Sequence, residues 1–218
     1  MNLGLGKRLT AVVNEIEGNS LADVGCDHGK VAIAALLEGK VERVIACDIS
    51  PKSLQKAVDL ADKCRVKDIE FRAGDGLQVI DDGEVSCVVI AGMGGNEIMS
   101  ILSHIPQGVK RFVLSPHRNT VELRRFLSEK GIYIDKDYIV KDGRKFYDII
   151  VAEVDCGKSC RLDRRQLLLG KNNIGGDFDE YLQLLRQKYD SLLQMSADSE
   201  QANLYKEMLD MAEEMRDA

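Results

Sequence analysis

The 218-residue sequence predicts an α/β chain: a mainly parallel sheet covered by helices on both faces, closed by an antiparallel strand hairpin and followed by a helical hairpin. Three features carry this expectation. Apolar, β-rich runs alternate with helical patterns from residue 20 to about 130, as crossover-connected parallel strands do. Two strand-like runs, 132–140 and 146–154, flank Lys141-Asp142-Gly143-Arg144, and Asp-Gly between apolar runs marks a hairpin. Beyond Asp155, apolar residues recur three and four apart, the spacing of amphipathic helices.

Each element has a local reason. Leu21 to Gly25 is a short buried strand ending in a glycine turn, and 31–38 reads as helix. Strand 43–48 is followed by Ser50-Pro51, a serine N-cap with proline at the first helical position, and the helix runs to about Lys63. Strand 69–73 ends in Gly74-Asp75-Gly76. The most apolar strand, 85–91, ends in Gly92-Met93-Gly94-Gly95, and a helix through Ile98 and Ile101 follows. Pro116 stops strand 111–115, and helix 121–130 is closed by Gly131 at C′. A helix over 161–169 is broken by Gly170 and Gly175-Gly176. Phe178, Leu182, Leu185, Tyr189 and Leu192 then form one stripe, and Leu204, Met208, Met211 and Met215 a second, with a link at 196–199. The stripes predict an antiparallel hairpin of coiled-coil type. The expected division is a sheet domain over 1–156 and a helical hairpin over 157–218.

Composition narrows the function classes. No apolar run is long enough to span a membrane, and the first eighteen residues lack the build of a signal peptide. Six dispersed cysteines without a CxxC predict reduced thiols and a cytoplasmic chain. Three dispersed histidines and no paired cysteine ligands predict no metal. A monomer or weak dimer is expected. The net charge of −6 is unevenly spread: −5 over residues 1–103, +6 over 104–171 and −7 over 172–218. A basic middle between acidic flanks suits a phosphate-bearing partner, although a solvated basic face reads the same way.

The chemistry concentrates at strand ends. The first strand runs into Asp23-Val24-Gly25-Cys26-Asp27-His28-Gly29, where glycines let a ligand approach the backbone. Asp27 would repel a pyrophosphate, and the GxGxxG spacing of dinucleotide sites is absent. Asp48 ends the second strand, where an acid can accept from both ribose hydroxyls. Asp75, between two glycines after the third strand, can accept from an adenine amine. Acids at the ends of three neighbouring strands, without a phosphate cradle, point to an adenosine that carries no phosphate: S-adenosylmethionine, whose ammonium and sulfonium both attract carboxylates. Each of these turns also has a plain structural reading as a tight turn or helix cap.

A parallel sheet finished by an inserted antiparallel strand is the layout of class I methyltransferases. Beyond that layout, the sequence resembles the bacterial tRNA (adenine-N1)-methyltransferase family TrmK along nearly its whole length. The stretches Ser20-LADVGCDHGKVAI, Gly74-Asp75-Gly76-Leu77, Val89-IAGMGGNEI-Met99, Phe112-VLSPHRNTVELRRFL-Ser128 and Lys145-FYDIIVAE-Val154 carry the resemblance. It implies a Rossmann-like catalytic domain, a C-terminal helical hairpin, and methylation of N1 of adenine at tRNA position 22, in the D-arm. The sequence departs from the family pattern at Cys26, at Gly29-Lys30-Val31, at Asp48 and at Ser115-Pro116-His117.

Asp23, Gly25, Asp27, His28, Asp48, Ile49, Gly74, Asp75, Gly76, Ala91, Gly92 and Met93 are the candidate cofactor residues. Asp27, Met93 and His117 are the candidates nearest the chemistry. Adenine N1 already carries a free lone pair, so position and electrostatics suffice. That fits the absence of an Asp/Asn-Pro-Pro-Tyr motif after the fourth strand. Arg118, Arg124, Arg125, Lys141, Arg144, Lys145, Arg161, Arg164 and Arg165 are the candidate tRNA contacts. A methyltransferase acting on another RNA or a small molecule, or a non-catalytic adenosine-binding module, would share the cofactor residues.

Overall fold

A computed structural model describes residues 3–194 and 199–217. Its centre is a seven-stranded sheet of order β3-β2-β1-β4-β5-β7-β6. The strands are β1 (Ser20–Val24), β2 (Arg43–Asp48), β3 (Ile69–Ala73), β4 (Cys87–Ala91), β5 (Arg111–Ser115), β6 (Tyr133–Asp142) and β7 (Lys145–Glu153). The first five are parallel, and β7 runs antiparallel between β5 and β6. The Asp-Gly hairpin predicted from sequence is thus the device that inserts the last strand.

Helices α1 (Lys7–Asn14), α2 (Lys30–Leu37) and α3 (Pro51–Cys64) pack on one face. A short 3-10 turn at Gly76–Val79, α4 (Gly95–Ile101) and α5 (Thr120–Glu129) cover the other. Alternation along β1 shows why two layers form: Leu21 faces one cluster, Ala22 and Val24 the other. Ser50 caps α3 as expected, its Oγ accepting from the Ser53 N–H at 3.3 Å, with Pro51 next.

Helix α1 is absent from the sequence reading. Its eight residues are too few for a clear period, and only Val12 and Val13 are fully buried. Helix α6 (Arg164–Leu169) begins three residues later than expected, because Asp163 accepts from the Gln166 N–H and the Gln166 side chain accepts from the Asp163 N–H.

Helices α7 (Gly176–Gln194) and α8 (Glu200–Asp217) run side by side in opposite directions: Arg186 pairs with Glu213, while Leu192 and Gln201 line one groove. Phe178, Leu182, Leu185, Met208, Leu209 and Ala212 bury their shared seam with Leu168 and Leu169. Residues 196–198 of the expected link lie outside the described residues. Val121 of α5 and Ile139 of β6 join this third cluster, so the helices dock on the sheet domain. The docking also covers the sheet edge. Alternate N–H groups of β6, at Asp137, Ile139 and Lys141, donate to Asn172 Oδ1 (3.0 Å), Asn173 Oδ1 (2.7 Å) and Asp177 Oδ2 (2.8 Å).

Candidate active site

β1 pairs with β2 on one side and with β4 on the other, so the chain reverses its direction of travel across the sheet at β1. Open α/β sheets bind ligands at the carboxyl ends of strands flanking such a point. Two adjoining hollows of about 400 and 510 Å³ lie there and share Gly25, Ala91 and Gly92 as their floor. Together they have the size of a small-molecule site.

The first hollow is lined by Asp48, Ile49, Gly74, Asp75, Gly76 and Met93. Asp48 is fixed by its own loop: Oδ1 accepts from the Ser50 N–H at 2.8 Å and Oδ2 from the Asp27 N–H at 3.1 Å. The same carboxylate therefore orients the β1–α2 turn. Asp75 is exposed, and its carboxylate has no partner among the described residues. Ile49 is 73% exposed, an unusual state for a large apolar side chain beside a polar crevice, and offers a flat apolar contact.

The second hollow is lined by Arg8, Asp23, Cys26, Asp27, His28, Lys30 and His117. Asp27 and His28 are exposed, 3.6 Å apart between Oδ2 and Nε2, and Gly29, not His28, occupies the N-cap of α2. Asp23 has a different place from the other acids. It is buried beneath the turn and accepts from the Ala32 N–H at 3.1 Å, holding the first turn of α2. Burial pushes its carboxyl up to about 7, opposed by that hydrogen bond and reinforced by the charge of Asp48.

Two backbone ties assemble the far wall. The His117 N–H donates to the Met93 carbonyl at 2.9 Å, and the Gly95 N–H donates to the Arg118 carbonyl at 2.8 Å. They bring the loop after β5 over the loop after β4. Gly92 sits beneath at φ +102°, a conformation that L side chains rarely adopt, and the His117 Nε2 lies 3.6 Å from where a side chain on Gly92 would begin. The His117 imidazole is held below its ordinary pKa by partial desolvation and by the charges of Arg8 and Lys145. Both effects favour its neutral form. Its ring tilts against Tyr147, with centroids 5.9 Å apart.

The basic residues separate into three groups. Arg124 is a correction. It is buried, its guanidinium clamped by Asp137 (2.7 and 2.9 Å) and Asp148 (2.7 Å), with Nη1 on the Leu167 carbonyl, so no phosphate can reach it. Burial opposes its charge, but the two carboxylates outweigh burial and hold its pKa above the ordinary value. Arg118, Lys141 and Arg164 pair with Glu97, Glu180 and Glu207 at the surface, contacts weak enough to exchange for phosphate. Arg125, Arg144, Lys145, Arg161 and Arg165 are exposed and have no acidic partner among the described residues.

Among the described residues no cluster of His, Cys, Asp or Glu is arranged to hold a metal ion, and no helix is long and apolar enough to cross a membrane. The buried orphan Nη1 of Arg8, the unpartnered Asp75 and the glycine floor fit an adenosine cofactor with a zwitterionic tail.

A family model described as a methyltransferase domain matches residues 5–150. The tRNA (adenine(22)-N(1))-methyltransferase of Bacillus subtilis is 34% identical over 156 residues, spanning 69% of this chain and 66% of that protein. The crystal structure of B. subtilis TrmK superposes with a TM-score of 0.74 at 29% identity, over 99% of this chain and 97% of that one. This chain belongs to the TrmK family. Streptococcus pneumoniae Sp1610, solved in complex with S-adenosyl-L-methionine, gives a TM-score of 0.79 at 25% identity over 94% of this chain and 99% of that one.

Within this TrmK-family crevice, the sequence reading missed Arg8, Lys30 and Tyr147. Lys30 follows the glycine turn directly, and that adjacency was the signal for it. Arg8 and Tyr147 meet only through the fold, the guanidinium carbon 5.0 Å from the ring centroid.

Proposed function

We propose that this chain transfers a methyl group from S-adenosylmethionine to N1 of an adenine in tRNA, with adenine 22 of the D-arm as the target. The observation that carries the reading is the crevice at the β1/β4 switch point, which has adenosine-type acceptors at Asp48 and Asp75 and a glycine floor. The named activity of the B. subtilis relative supports the choice of base and position.

When bound, the cofactor supplies a methyl carbon made electrophilic by its sulfonium. The chain does the rest by placement. Asp48 would accept from the ribose hydroxyls and Asp75 from the adenine amine, with Ile49 as the apolar contact for the ring. Asp27 would receive the ammonium. The target adenine must leave its stack to present N1. Gly92, which brings no side chain, would leave room for that base on the crevice floor, with Met93 and His117 beside it. N1 would take the methyl with its own lone pair as the sulfur–methyl bond breaks and S-adenosylhomocysteine leaves, so no residue of the chain has to remove a proton. The product base is cationic, and the neutral His117 beside it adds no like charge. Arg125, Arg144, Lys145, Arg161 and Arg165 meet phosphates, and residues 157–218 serve as the arm that braces the tRNA.

The test is transfer of radiolabelled methyl from S-adenosylmethionine to an unmodified tRNA transcript, with free adenosine and a small-metabolite mixture in parallel. The expected result is label in the tRNA alone. Label in the small-molecule fraction and none in tRNA would assign the crevice to another substrate class.

A further inference from the structure

We propose that Arg8 of helix α1 receives the carboxylate of the cofactor's amino-acid tail and so sets the polarity with which that tail lies in the second hollow. The assignment rests on the cofactor reading above.

Three features place the guanidinium. Helix α1 is fixed from across the chain by the β6–β7 hairpin, where Asp142 Oδ2 accepts the Arg8 backbone N–H at 3.3 Å. A side chain on Gly6 would collide with that carboxylate, so glycine at the helix N-cap lets it reach the first turn. The guanidinium then lies over the Tyr147 ring, which holds a cation without consuming its N–H donors. Finally, Nη1 is buried and has no hydrogen-bond partner, and no carboxylate pairs with the guanidinium among the described residues. A buried charged donor left unpartnered is costly, and its partner is expected to be a ligand.

The neighbours select the ligand group. Nη1 and Nη2 lie 3.8 and 4.0 Å from the point where a side chain on Gly92 would begin, on the floor shared by both hollows. No hydrogen bond joins the nearby His117 ring to Nη1, and Lys145 carries a like charge, so neither satisfies Arg8. With adenosine in the first hollow, the tail would pass over Gly92 into the second, which is lined by both Asp27 and Arg8. An ammonium and a carboxylate on one carbon match that pair of opposite charges. A tRNA phosphodiester is the competing anion, and the measurements below separate the two.

Calorimetry with Arg8→Gln and Arg8→Lys separates the possibilities, using S-adenosylhomocysteine and 5′-methylthioadenosine, which keeps the adenosine and thioether but lacks the amino acid. Circular dichroism confirms that each variant is folded. The expected result is about a 10- to 100-fold loss of S-adenosylhomocysteine affinity in Arg8→Gln. Methylthioadenosine binding should change less than about twofold, and Arg8→Lys should recover part of the loss. Equal weakening of both ligands would overturn the assignment, since Arg8 would then only shape the crevice. So would unchanged affinity for both with weaker tRNA binding, which would place a phosphate on Arg8. A wild-type chain that binds neither ligand would overturn the cofactor reading itself.

Discussion

Replacing Arg124 by alanine should unsettle the fold and leave the electrostatics of tRNA binding alone. The side chain is 3% exposed and Asp137 fully enclosed, and together with Asp148 and the Leu167 carbonyl they tie α5, β6, β7 and helix α6 into one node. Removing the cation strands the Asp137 carboxylate in a dry site. Breaking a buried pair from one side costs about 3–5 kcal/mol, against a total stability of about 5–15 kcal/mol. For a chain of this size that corresponds to a fall in Tm of roughly 6–20 °C. The variant should be partly rescued by Asp137→Asn, which removes the stranded charge. Thermal unfolding of Arg124→Ala and of the double variant measures the effect, and tRNA affinity at several salt concentrations measures the alternative. A Tm within about 2 °C of wild type, together with a salt dependence shallower by about one phosphate, would show that Arg124 belongs to the RNA surface after all.

Other consequences follow from the same geometry. Joint replacement of Arg125, Arg144, Lys145, Arg161 and Arg165 by glutamine should weaken tRNA binding and flatten its salt dependence by about one unit of slope for each phosphate no longer neutralised, with S-adenosylhomocysteine affinity unchanged in the same samples. Asp48→Ala should lose about 1–3 kcal/mol of cofactor affinity, and more than Asp75→Ala, because Asp48 also holds the Asp27 N–H; calorimetry that ranks them in the opposite order would contradict this. Asp23 gives a pH signature. Its folded pKa of about 7 exceeds the unfolded value of about 3.9, so its protonated form favours folding. That contribution is complete below about pH 4 and lost as pH rises to about 7. Urea unfolding should therefore show wild type losing up to about 4 kcal/mol relative to Asp23→Asn across this window. Parallel pH profiles for the two proteins would mean that Asp23 is not buried as a neutral acid.

What the sequence made legible, and what it concealed, divides by range along the chain. Asp27, Asp48 and Asp75 could be placed because each follows its own strand within a turn, and strand order brings three neighbouring ends together. Ser50-Pro51 and the Asp-Gly hairpin announced their elements by local backbone chemistry. Arg8 could not be placed, since its anchors Asp142 and Tyr147 lie more than 130 residues away. Arg124 was misread for a related reason. It sits beside Arg125 in the basic middle of the chain, and its two carboxylates come from strands 13 and 24 residues further on. Charge along a chain records sign and not exposure. The cover on β6 was equally hidden, because nothing near Asn172, Asn173 and Asp177 in the chain marks the edge strand they bond.

Methylation of adenine N1 in tRNA is tested by locating the methyl group itself. An unmodified tRNA transcript is incubated with the chain and S-adenosylmethionine and then copied by reverse transcriptase, which N1-methyladenine blocks because the methyl occupies the Watson–Crick edge. The expected result is a single new stop one nucleotide before adenine 22, absent without cofactor and absent when that adenine is replaced by guanine. Full-length copying of a transcript that has nonetheless taken up labelled methyl, or a stop elsewhere, would contradict N1 methylation at that position.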